Sequence, residues 1–397
     1  MLEFGNVKIF ADQIEGQSFA QLKEMSYYKI FGNNPIRIMP DVHSGKGCVI
    51  GFTAQIADKI VPNIIGVDIG CGVLAVKLGK IDIDYEKLDQ FINEKIPSGR
   101  AVNEKEDGWT VDLVDNFLSC SESLKNREHL YRSLGTLGGG NHFIEIDQDI
   151  EGNKYLLVHT GSRNLGKQVA EIYQDLAVKT IRRTEHEQAN KLVDLMKSLG
   201  RHKEINAFLD TYRTHFTVPA ELAWLEGESA ASYIADMQVC QLFAKINRQV
   251  IASQIIYFLT GRNIVDFENI ESVHNYIDKN NIVRKGAIDA SLGKKVVIPL
   301  NMRDGCILGL GLGNEDWNNS APHGAGRVMS RGQARRELNL EEFQDQMKGI
   351  YTTSICTETL DESPMVYKDY NEILSWLPET VSITDKLFTV YNFKAKD

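Results

Sequence analysis

The sequence predicts an α+β fold, built as one large domain with mixed β-sheets and a helical insertion. Short apolar runs joined by glycine-rich turns occupy the chain up to about residue 80 and indicate strands. Apolar residues at helical spacing then dominate residues 165–260. Strand-like runs return afterwards. Because strands and helices are segregated instead of alternating, this order favours α+β over a parallel α/β fold.

The individual elements follow from the local patterns. The runs "IRIMPDVHSGKGCVIGFTAQIA" and "IIGVDIGCGVLAVKLG" predict strands separated by tight loops. Residues 84–134 are polar and predict helices, one of them over "ESLKNREHLYRSLG". Strands are predicted over "HFIEIDQD" and "KYLLVHTG", and again over "KKVVIPLNM" and "GCILGLGLG". Between these pairs, residues 165–260 predict long helices inserted within a single domain that spans residues 1–397.

Composition indicates an ordinary globular protein, with 397 residues of which 43% are hydrophobic and 25% charged. The 6 cysteines are scattered without a CxxC pair, which predicts reduced thiols and a cytoplasmic location. The sequence predicts neither a signal peptide nor a membrane span. The net charge of −10 means that any contact with RNA must come from a local basic surface.

The 9 histidines fall into two groups. Four lie in polar stretches with helical spacing, where exposed side chains are expected. The other five adjoin a strand end or a glycine-rich turn, which is where sites are built on a rigid scaffold: His43, His142, His159, His274 and His323. A lone histidine of this kind is more often structural, but five together favour a functional site.

An aspartate and a cysteine share this setting, because Asp68 and Cys71 lie in "GVDIGCGV". Aspartate supplies a hard oxygen, cysteine supplies a thiolate that can bridge two metals, and imidazoles suit Mn, Fe, Co, Ni and Zn. A D-x-x-C pair alone is more often a buried cysteine beside a turn. Together with His142, His159 and His274, however, these residues exceed the needs of one tetrahedral site. They predict two adjacent metals, an arrangement used in phosphoryl chemistry.

Phosphate-binding signals accompany the predicted ligands. "GTLGGGNH" offers backbone N–H groups to an anion, although it lacks the lysine of a P-loop. Arginine suits phosphate through its fork geometry, although a run of arginines is usually a solvated face. The candidates for contact with RNA phosphates are Arg163, Arg327 and Arg331. The residues alone therefore predict a dinuclear metal site that acts on phosphate esters. They assign no role to His323 of "APHGAGR".

Taken in order, the motifs resemble those of the RtcB family of RNA ligases over nearly the whole chain. They are "MPDVHSGKG", "GVDIGCG", "LGTLGGGNHFIEI", "VHTGSRNLG", "HNY" with "RKGA", "HGAGRVMSR", "ESPMVYKD" and a lysine near the C-terminus. The resemblance implies an RtcB-like catalytic domain that uses two Mn²⁺ ions and GTP. It also implies joining of RNA 3′-phosphate or 2′,3′-cyclic phosphate ends to 5′-hydroxyl ends.

The resemblance further implies a role for each matched residue. His323 would attack the α-phosphate of GTP and become guanylylated, Asp41 would orient it, and GMP would pass to the RNA as RNA(3′)pp(5′)G. The implied metal ligands are Asp68, Cys71, His142, His159 and His274, with Cys71 as the bridge. The implied nucleotide-binding residues are Asn141, His142, Glu145, His274, Asn275, Pro299, Leu300, Asn301, Met302, His323, Gly324, Ala325, Gly326 and Lys394. Lys396 competes with Lys394 as the catalytic C-terminal lysine.

Some alternatives stay open. In "IPLNMRDGC", Asn301 and Arg303 replace the serine and glycine usual in the family, which leaves the nucleotide preference open. The RNA partner is either tRNA halves or damaged RNA, an archease-like activator is implied, and the oligomeric state is not predicted. A phosphoesterase that opens cyclic phosphates without sealing is the main rival, but it would not need His323. A non-catalytic RNA-end binder fits poorly with an acidic chain that carries a complete ligand set.

Overall fold

The computed structural model describes residues 1–215 and 217–395. Its strands are β1 (Leu2–Phe4), β2 (Val7–Ile9), β3 (Ile36–His43), β4 (Ile50–Gln55), β5 (Gly72–Gly79), β6 (Phe143–Gln148), β7 (Lys154–Thr160), β8 (Asn269–Val273), β9 (Asn275–Ile277), β10 (Ile282–Lys285), β11 (Ala287–Asp289), β12 (Lys295–Asn301), β13 (Gly305–Gly311), β14 (Ser320–Pro322) and β15 (Val381–Lys394). Its α-helices are α1 (Gly16–Tyr27), α2 (Pro62–Ile65), α3 (Tyr85–Lys95), α4 (Gly108–Asn116), α5 (Arg127–Tyr131), α6 (Arg163–Ser198), α7 (Ile205–His215), α8 (Gly227–Thr260), α9 (Arg331–Glu337), α10 (Leu340–Gln346) and α11 (Tyr370–Trp376). The predicted α+β class is confirmed.

Two sheets carry the N-terminal strands and the segment around His323. A six-stranded sheet has the order β1-β2-β3-β4-β10-β9, with β2 and β3 parallel and the other pairs antiparallel. A small sheet pairs β11 with β14, and β14 ends one residue before His323. Because β10 runs into β11 through Gly286, this small sheet places His323 beside the first sheet.

The third sheet is antiparallel throughout, with seven strands in the order β12-β13-β15-β6-β7-β5-β8. Its edge strands approach each other, since the N–H of Val297 in β12 donates to Ser272 Oγ of β8 at 2.9 Å. The sheet therefore curls toward a barrel. One of its faces packs on α8, where Ile251 and Ile255 join Leu156 and Val158 of β7 in one buried cluster.

The registers of this sheet bring distant residues to one end of it. Cys71 immediately precedes β5, His142 immediately precedes β6, His159 lies in β7, and His274 immediately follows β8. Gly72 pairs with both Thr160 and Val273, and Phe143 pairs with His159. Four side chains that are up to about 200 residues apart in sequence thereby meet at neighbouring strand ends.

The predicted strands and long helices are present, with one helix shorter than expected. The strands predicted over 142–149, 154–161, 294–302 and 305–313 are β6, β7, β12 and β13, and the long helices are α6 and α8. The helix predicted over residues 122–135 is wrong in extent. It is limited to α5, because Asn126 before it has a φ of 50°, which interrupts a right-handed helix. Among the described residues, the helices are all too short or too polar to cross a membrane.

Candidate active site

Two groups of potential metal ligands share Cys71. One group contains Cys71, His159 and His274, and the other contains Asp68, Cys71 and His142. The Cys71 Sγ atom lies 3.3 Å from Nε2 of His159 and 3.5 Å from Nε2 of His142. The Nε2 atoms of His159 and His274 are 3.2 Å apart, and His142 Nε2 is 2.9 Å from Asp68 Oδ2. All five predicted ligands are therefore brought together.

Backbone carbonyls set the tautomers of two of these histidines. Nδ1 of His142 donates to the Leu137 carbonyl at 2.9 Å, and Nδ1 of His159 donates to the Asn141 carbonyl at 3.2 Å. A carbonyl only accepts, so in the neutral rings each Nε2 turns a lone pair toward the cluster. His142 Nε2 then faces the Asp68 carboxylate with two acceptors in contact, an arrangement that a bound cation stabilises.

Burial shifts the pKa values of three of the potential ligands. It lowers the pKa of His159 well below its ordinary value and that of His274 to about 3, so both rings are neutral near pH 7. Burial also raises the pKa of the Cys71 thiol well above its ordinary value. In addition, Asp68 Oδ1 and His274 Nδ1 are buried without a hydrogen-bond partner among the described residues. Such orphaned polar atoms are costly unless a ligand satisfies them.

Two polar residues of α8, which sequence reasoning missed, fix the backbone around these ligands. Arg248 is fully buried and donates from Nη1 to the carbonyls of Gly70 at 2.9 Å and Thr160 at 2.7 Å. The Oδ1 atom of Asn247 accepts from the N–H of Gly135 at 2.7 Å, at the start of the glycine-rich loop. One feature of the sequence could have indicated them: Asn247 and Arg248 are adjacent polar residues in an otherwise largely apolar helical run, "FAKINRQVIAS".

A cavity of about 880 Å³ adjoins the ligand cluster. Most of the predicted nucleotide-binding residues line it: Asn141, Glu145, Pro299, Leu300, Asn301, Met302, His323, Gly324, Ala325, Gly326 and Lys394. The remaining three, His142, His274 and Asn275, are not among its lining. Asn275 instead donates to the backbone carbonyl of Asp68 at 3.1 Å and accepts from the N–H of Gly286 at 3.0 Å. The cavity is large enough for a nucleotide.

His323 is held by Asp41 at the edge of this cavity. The Asp41 Oδ2 atom lies 2.6 Å from His323 Nδ1 and also accepts from the His323 backbone N–H at 3.1 Å. The Nε2 atom is thereby left as the acceptor. The His323 ring centroid is 4.7 Å from that of His274, so this imidazole lies directly beside the ligand cluster. Gly326 makes the close approach possible, since it has a φ of 74° and a Cβ there would lie 2.3 Å from the Asp41 carbonyl oxygen.

Lys394 and Glu145 reach the cavity from the paired strands β15 and β6. Lys394 Nζ donates to the Asn141 carbonyl at 3.3 Å and lies 3.4 Å from the Glu362 carboxylate. Glu145 accepts a hydrogen bond from Asn392, and burial, aided by the nearby carboxylate of Asp147, raises its pKa well above the ordinary value. Lys396, the competing candidate, lies outside the described residues.

The segment 299–302 also lines the cavity. A register shift between Pro299 and Asn301 makes a bulge in β12. Asn301 Nδ2 donates to Asp304 Oδ2 at 2.7 Å, and Arg303 donates from Nε to Asp304 Oδ1 at 2.7 Å and also contacts Gln346. Asn301 and Arg303, the two residues that differ from those usual in the family, therefore bond mainly to the neighbouring Asp304.

The three predicted RNA-contacting arginines occupy different places. Arg327 and Arg331 line the cavity, whereas Arg163 is not among its lining residues. Arg163 donates from Nη2 to the Gly99 carbonyl at 3.0 Å and from Nε to Thr136 Oγ1 at 3.1 Å. It therefore supports the glycine-rich loop from outside the cavity.

Glu362 connects the cations of the cavity wall. Its Oε1 atom lies 3.2 Å from Arg327 Nη1 and 3.0 Å from Arg331 Nη2, while its Oε2 atom accepts from Tyr367 at 2.6 Å and faces Lys394. Burial acts to raise the pKa of Glu362, but Lys394, Arg331 and Arg327 outweigh it, so this pKa lies below its ordinary value. Both Glu362 and Tyr367 lie in the motif "ESPMVYKD", but the sequence alone indicates no role for either residue.

Glu362→Gln is expected to lower the free energy of unfolding by about 3 kcal/mol, because the buried Lys394 ammonium loses its charged partner. The depressed pKa means that Glu362 stabilises the fold above the ordinary glutamate pKa, and that this contribution disappears as the pH falls. Urea unfolding of both proteins at pH 7 and pH 4 measures the difference, which should shrink in acid.

The matched control is Glu341→Gln, at an exposed position of α10. It should leave the free energy of unfolding within about 0.5 kcal/mol of the wild-type value. An equal loss in the two variants would contradict the role assigned to Glu362.

The chain is similar to known proteins over most of its length. A family model described as tRNA-splicing ligase RtcB matches residues 21–395. The chain belongs to the RtcB family. Among its RtcB relatives, the RNA-splicing ligase RtcB of Escherichia coli strain K12 is 30% identical, with 88% of this chain and 87% of the relative covered. The tRNA-splicing ligase RtcB of Aeropyrum pernix is 26% identical, with 85% of this chain and 82% of the relative covered.

A further RtcB relative, the RNA-splicing ligase RtcB2 of E. coli strain ATCC 25922, is 30% identical, with 85% of this chain and 82% of the relative covered. The range matched by the RtcB model includes every predicted site residue from Asp41 to Lys394. The ligand cluster, His323 and the cavity-lining residues other than Glu15 and Gln17 therefore lie in the part of the chain that carries the RtcB similarity.

Proposed function

We propose that this protein is an RNA ligase that joins RNA 3′-phosphate or 2′,3′-cyclic phosphate ends to 5′-hydroxyl ends, using Mn²⁺ and GTP. One observation carries the proposal. An imidazole whose Nδ1 is bonded to a buried carboxylate presents its Nε2 beside a cluster of five metal ligands, on the wall of a nucleotide-sized cavity. Membership of the RtcB family supports the ligase activity.

The ligand cluster fits two metal ions. The two groups offer a carboxylate oxygen, imidazole nitrogens and one thiolate common to both, a donor set that suits Mn²⁺. Two such ions would polarise phosphoryl oxygens and orient an in-line attack. We assign Cys71 as the ligand common to both ions, Asp68 and His142 to one ion, and His159 and His274 to the other.

GTP fits the cavity as the source of the activating nucleotide. His323 Nε2 attacks the α-phosphate, the P–N bond forms, and pyrophosphate leaves. A neutral imidazole is a suitable nucleophile because it makes a labile phosphoramidate, which donates its phosphoryl group readily. We assign Asn141, Glu145 and Lys394 to one side of the bound nucleotide, residues 299–302 to the other side, and Gly324, Ala325 and Gly326 to its phosphate. On the cluster side, His142, His274 and Asn275 complete the nucleotide-binding set.

Two further transfers then seal the RNA. A 3′-phosphate oxygen takes GMP from His323 to give RNA(3′)pp(5′)G, and the 5′-hydroxyl attacks the RNA phosphorus, releasing GMP. A cyclic phosphate is first opened by hydrolysis. Arg327 and Arg331 line the cavity and are proposed to contact RNA phosphates. Arg163 is assigned to the support of the glycine-rich loop, since its guanidinium is bonded to Gly99 and Thr136.

The proposal is tested by covalent labelling. Wild-type protein incubated with Mn²⁺ and GTP radiolabelled at the α-phosphate should acquire acid-labile label, and His323→Ala should acquire none. His129→Ala, which changes a histidine of α5, is the matched control and should label normally. Suppose instead that the wild-type protein binds Mn²⁺ and opens a cyclic phosphate but takes no label from any nucleotide. That result would favour the phosphoesterase hypothesis. Repeating the assay with ATP measures the nucleotide preference.

Metal binding should release about one proton near neutral pH. The Cys71 pKa is raised, so the thiol is protonated in the metal-free protein and must lose its proton to bind, whereas His159 and His274 are already neutral. The apparent affinity for Mn²⁺ should consequently rise about tenfold for each pH unit between pH 6 and 8. Calorimetric titrations in buffers with different ionisation enthalpies count the released protons, and a count near zero would contradict the thiolate ligand.

The biological setting is proposed on the same basis. We propose a cytoplasmic enzyme acting on tRNA halves or damaged RNA, with an archease-like protein as activator. We also propose that residues 1–397 act as one RtcB-like catalytic domain in which 165–260 is an insertion. Turnover of the two RNA types by the purified protein, with and without a candidate activator, separates splicing from repair.

A further inference from the structure

A second imidazole faces the cavity close to His323. His43 ends β3, two residues after Asp41, in the part of the strand where the pairing with β4 is irregular. Its Nδ1 lies 2.9 Å from the backbone carbonyl of Asp41, whose carboxylate holds Nδ1 of His323. The two histidines thus share one aspartate, and both line the cavity. His43 belongs to neither group of metal ligands.

The hydrogen bond of His43 determines which of its nitrogens carries the proton. The Asp41 carbonyl accepts only, so Nδ1 is the donor and Nε2 keeps a lone pair. Residues 1–215 and 217–395 provide no hydrogen bond to that Nε2. Burial lowers the pKa of His43 to about 4, assisted by His323 and Arg327 and opposed by Asp41. The ring is therefore neutral, with an unprotonated Nε2 at the cavity, throughout the physiological pH range.

The proposed function contains a step that needs such an acceptor. In the first transfer the attacking His323 Nε2 carries no proton, and in the second the attacking phosphate oxygen is an anion. The 5′-hydroxyl does carry a proton, which must leave as the O–P bond forms. The 5′-hydroxyl attacks the RNA phosphate that has just accepted GMP from His323. The attack therefore occurs close to Asp41 and to the two imidazoles that are hydrogen-bonded to Asp41.

We propose that His43 is the general base of the sealing step, an inference that rests on the proposed function. Its Nε2 takes the proton of the RNA 5′-hydroxyl while O5′ bonds to the 3′ phosphorus and the bond from that phosphorus to the GMP oxygen breaks. GMP leaves as an anion, and the imidazolium returns its proton to water. Asp41 offsets the positive charge that forms on His43, whereas His323 and Arg327 oppose it and favour rapid return of the proton.

The inference is tested by following each transfer separately in His43→Gln. With a 3′-phosphate RNA and a 5′-hydroxyl RNA, the variant should label His323 within about threefold of the wild-type rate. It should accumulate RNA(3′)pp(5′)G, and sealing should slow by about 10²- to 10⁴-fold. If the rates of labelling, transfer and sealing all fall by a similar factor, His43 has a structural role and the proposal is overturned. An unchanged rate of sealing would also overturn it. Wild-type protein that takes no label would instead refute the proposed function.

A second measurement needs no variant. Wild-type protein is given preformed RNA(3′)pp(5′)G and a 5′-hydroxyl RNA, and single-turnover sealing is measured from pH 5.5 to 9. The rate should be nearly constant, because a base with a pKa of about 4 is already unprotonated across this range. A wild-type rate that climbs about tenfold per pH unit would mean that no resident base acts, and would overturn the proposal.

Discussion

Cys71→Ala is expected to remove both metal ions from the protein and to slow RNA ligation by about 10³-fold or more. Cys71 is the residue common to the two ligand groups, so its loss leaves each group with two ligands. Metal ions in such sites supply several kcal/mol of transition-state stabilisation, and each 1.36 kcal/mol is a factor of ten in rate. Metal content after loading with Mn²⁺ and gel filtration, measured by mass spectrometry, tests the first part, and single-turnover ligation tests the second.

The matched controls are His142→Ala and His274→Ala, each of which removes a ligand from one group only. Each should retain about one Mn²⁺ per chain while losing most of the ligase activity. Retention of a tightly bound ion by Cys71→Ala would show that the cysteine belongs to a single site. Equal metal loss in all three variants would show that the two positions are filled only together.

Asp41→Asn is expected to slow guanylylation of His323 by about 10³- to 10⁴-fold without unfolding the protein. The carboxylate only accepts, so it holds the His323 proton on Nδ1 and leaves Nε2 free to attack. An asparagine can present its NH₂ group instead, which favours the tautomer with the proton on Nε2. The equivalent change in a serine protease triad has an effect of about 10⁴-fold for this reason.

The measurement is the initial rate of label transfer from α-labelled GTP, with thermal unfolding followed in parallel. Asp12→Asn, an exposed aspartate near the N-terminus, is the control and should label at the wild-type rate. Labelling of Asp41→Asn within tenfold of wild type would mean that His323 does not depend on this carboxylate for its tautomer.

The sequence predicted the ligand cluster because each ligand adjoins a recognisable local feature. Cys71, His142 and His274 lie next to strand ends, and His159 lies in a strand that the apolar run "KYLLVHTG" reveals. What local patterns could not predict is that these strand ends are neighbours in one sheet. The order β6-β7-β5-β8 comes from pairings between distant segments, whereas the resemblance to the RtcB family implied only which residues bind the metals.

Other features escaped prediction because they depend on tertiary contacts. Strand β15 lies between β13 and β6, yet "VSITDKLFTVYNFK" carries no clear sign that it pairs with residues 143–148. In the sequence, Glu362 is not distinguishable from other acidic residues. Its role follows from its ion pairs with Arg327, Arg331 and Lys394, which only the fold brings together. The link between Asp41 and His323 spans 282 residues and follows from the small β11–β14 sheet, which sequence patterns did not indicate.

The carbonyl of Asn141 has a consequence for how this protein can diverge. It accepts hydrogen bonds both from His159 of the ligand cluster and from Lys394 of the cavity. The positions of the ligand cluster and of the cavity lysine therefore depend on the same peptide group. Changes on that wall would disturb both at once and are expected to be rare in evolution. The cavity-lining segment 299–302 is free of this constraint, since Asn301 bonds to Asp304 in its own turn. A new nucleobase preference, natural or engineered, is therefore expected to arise there first.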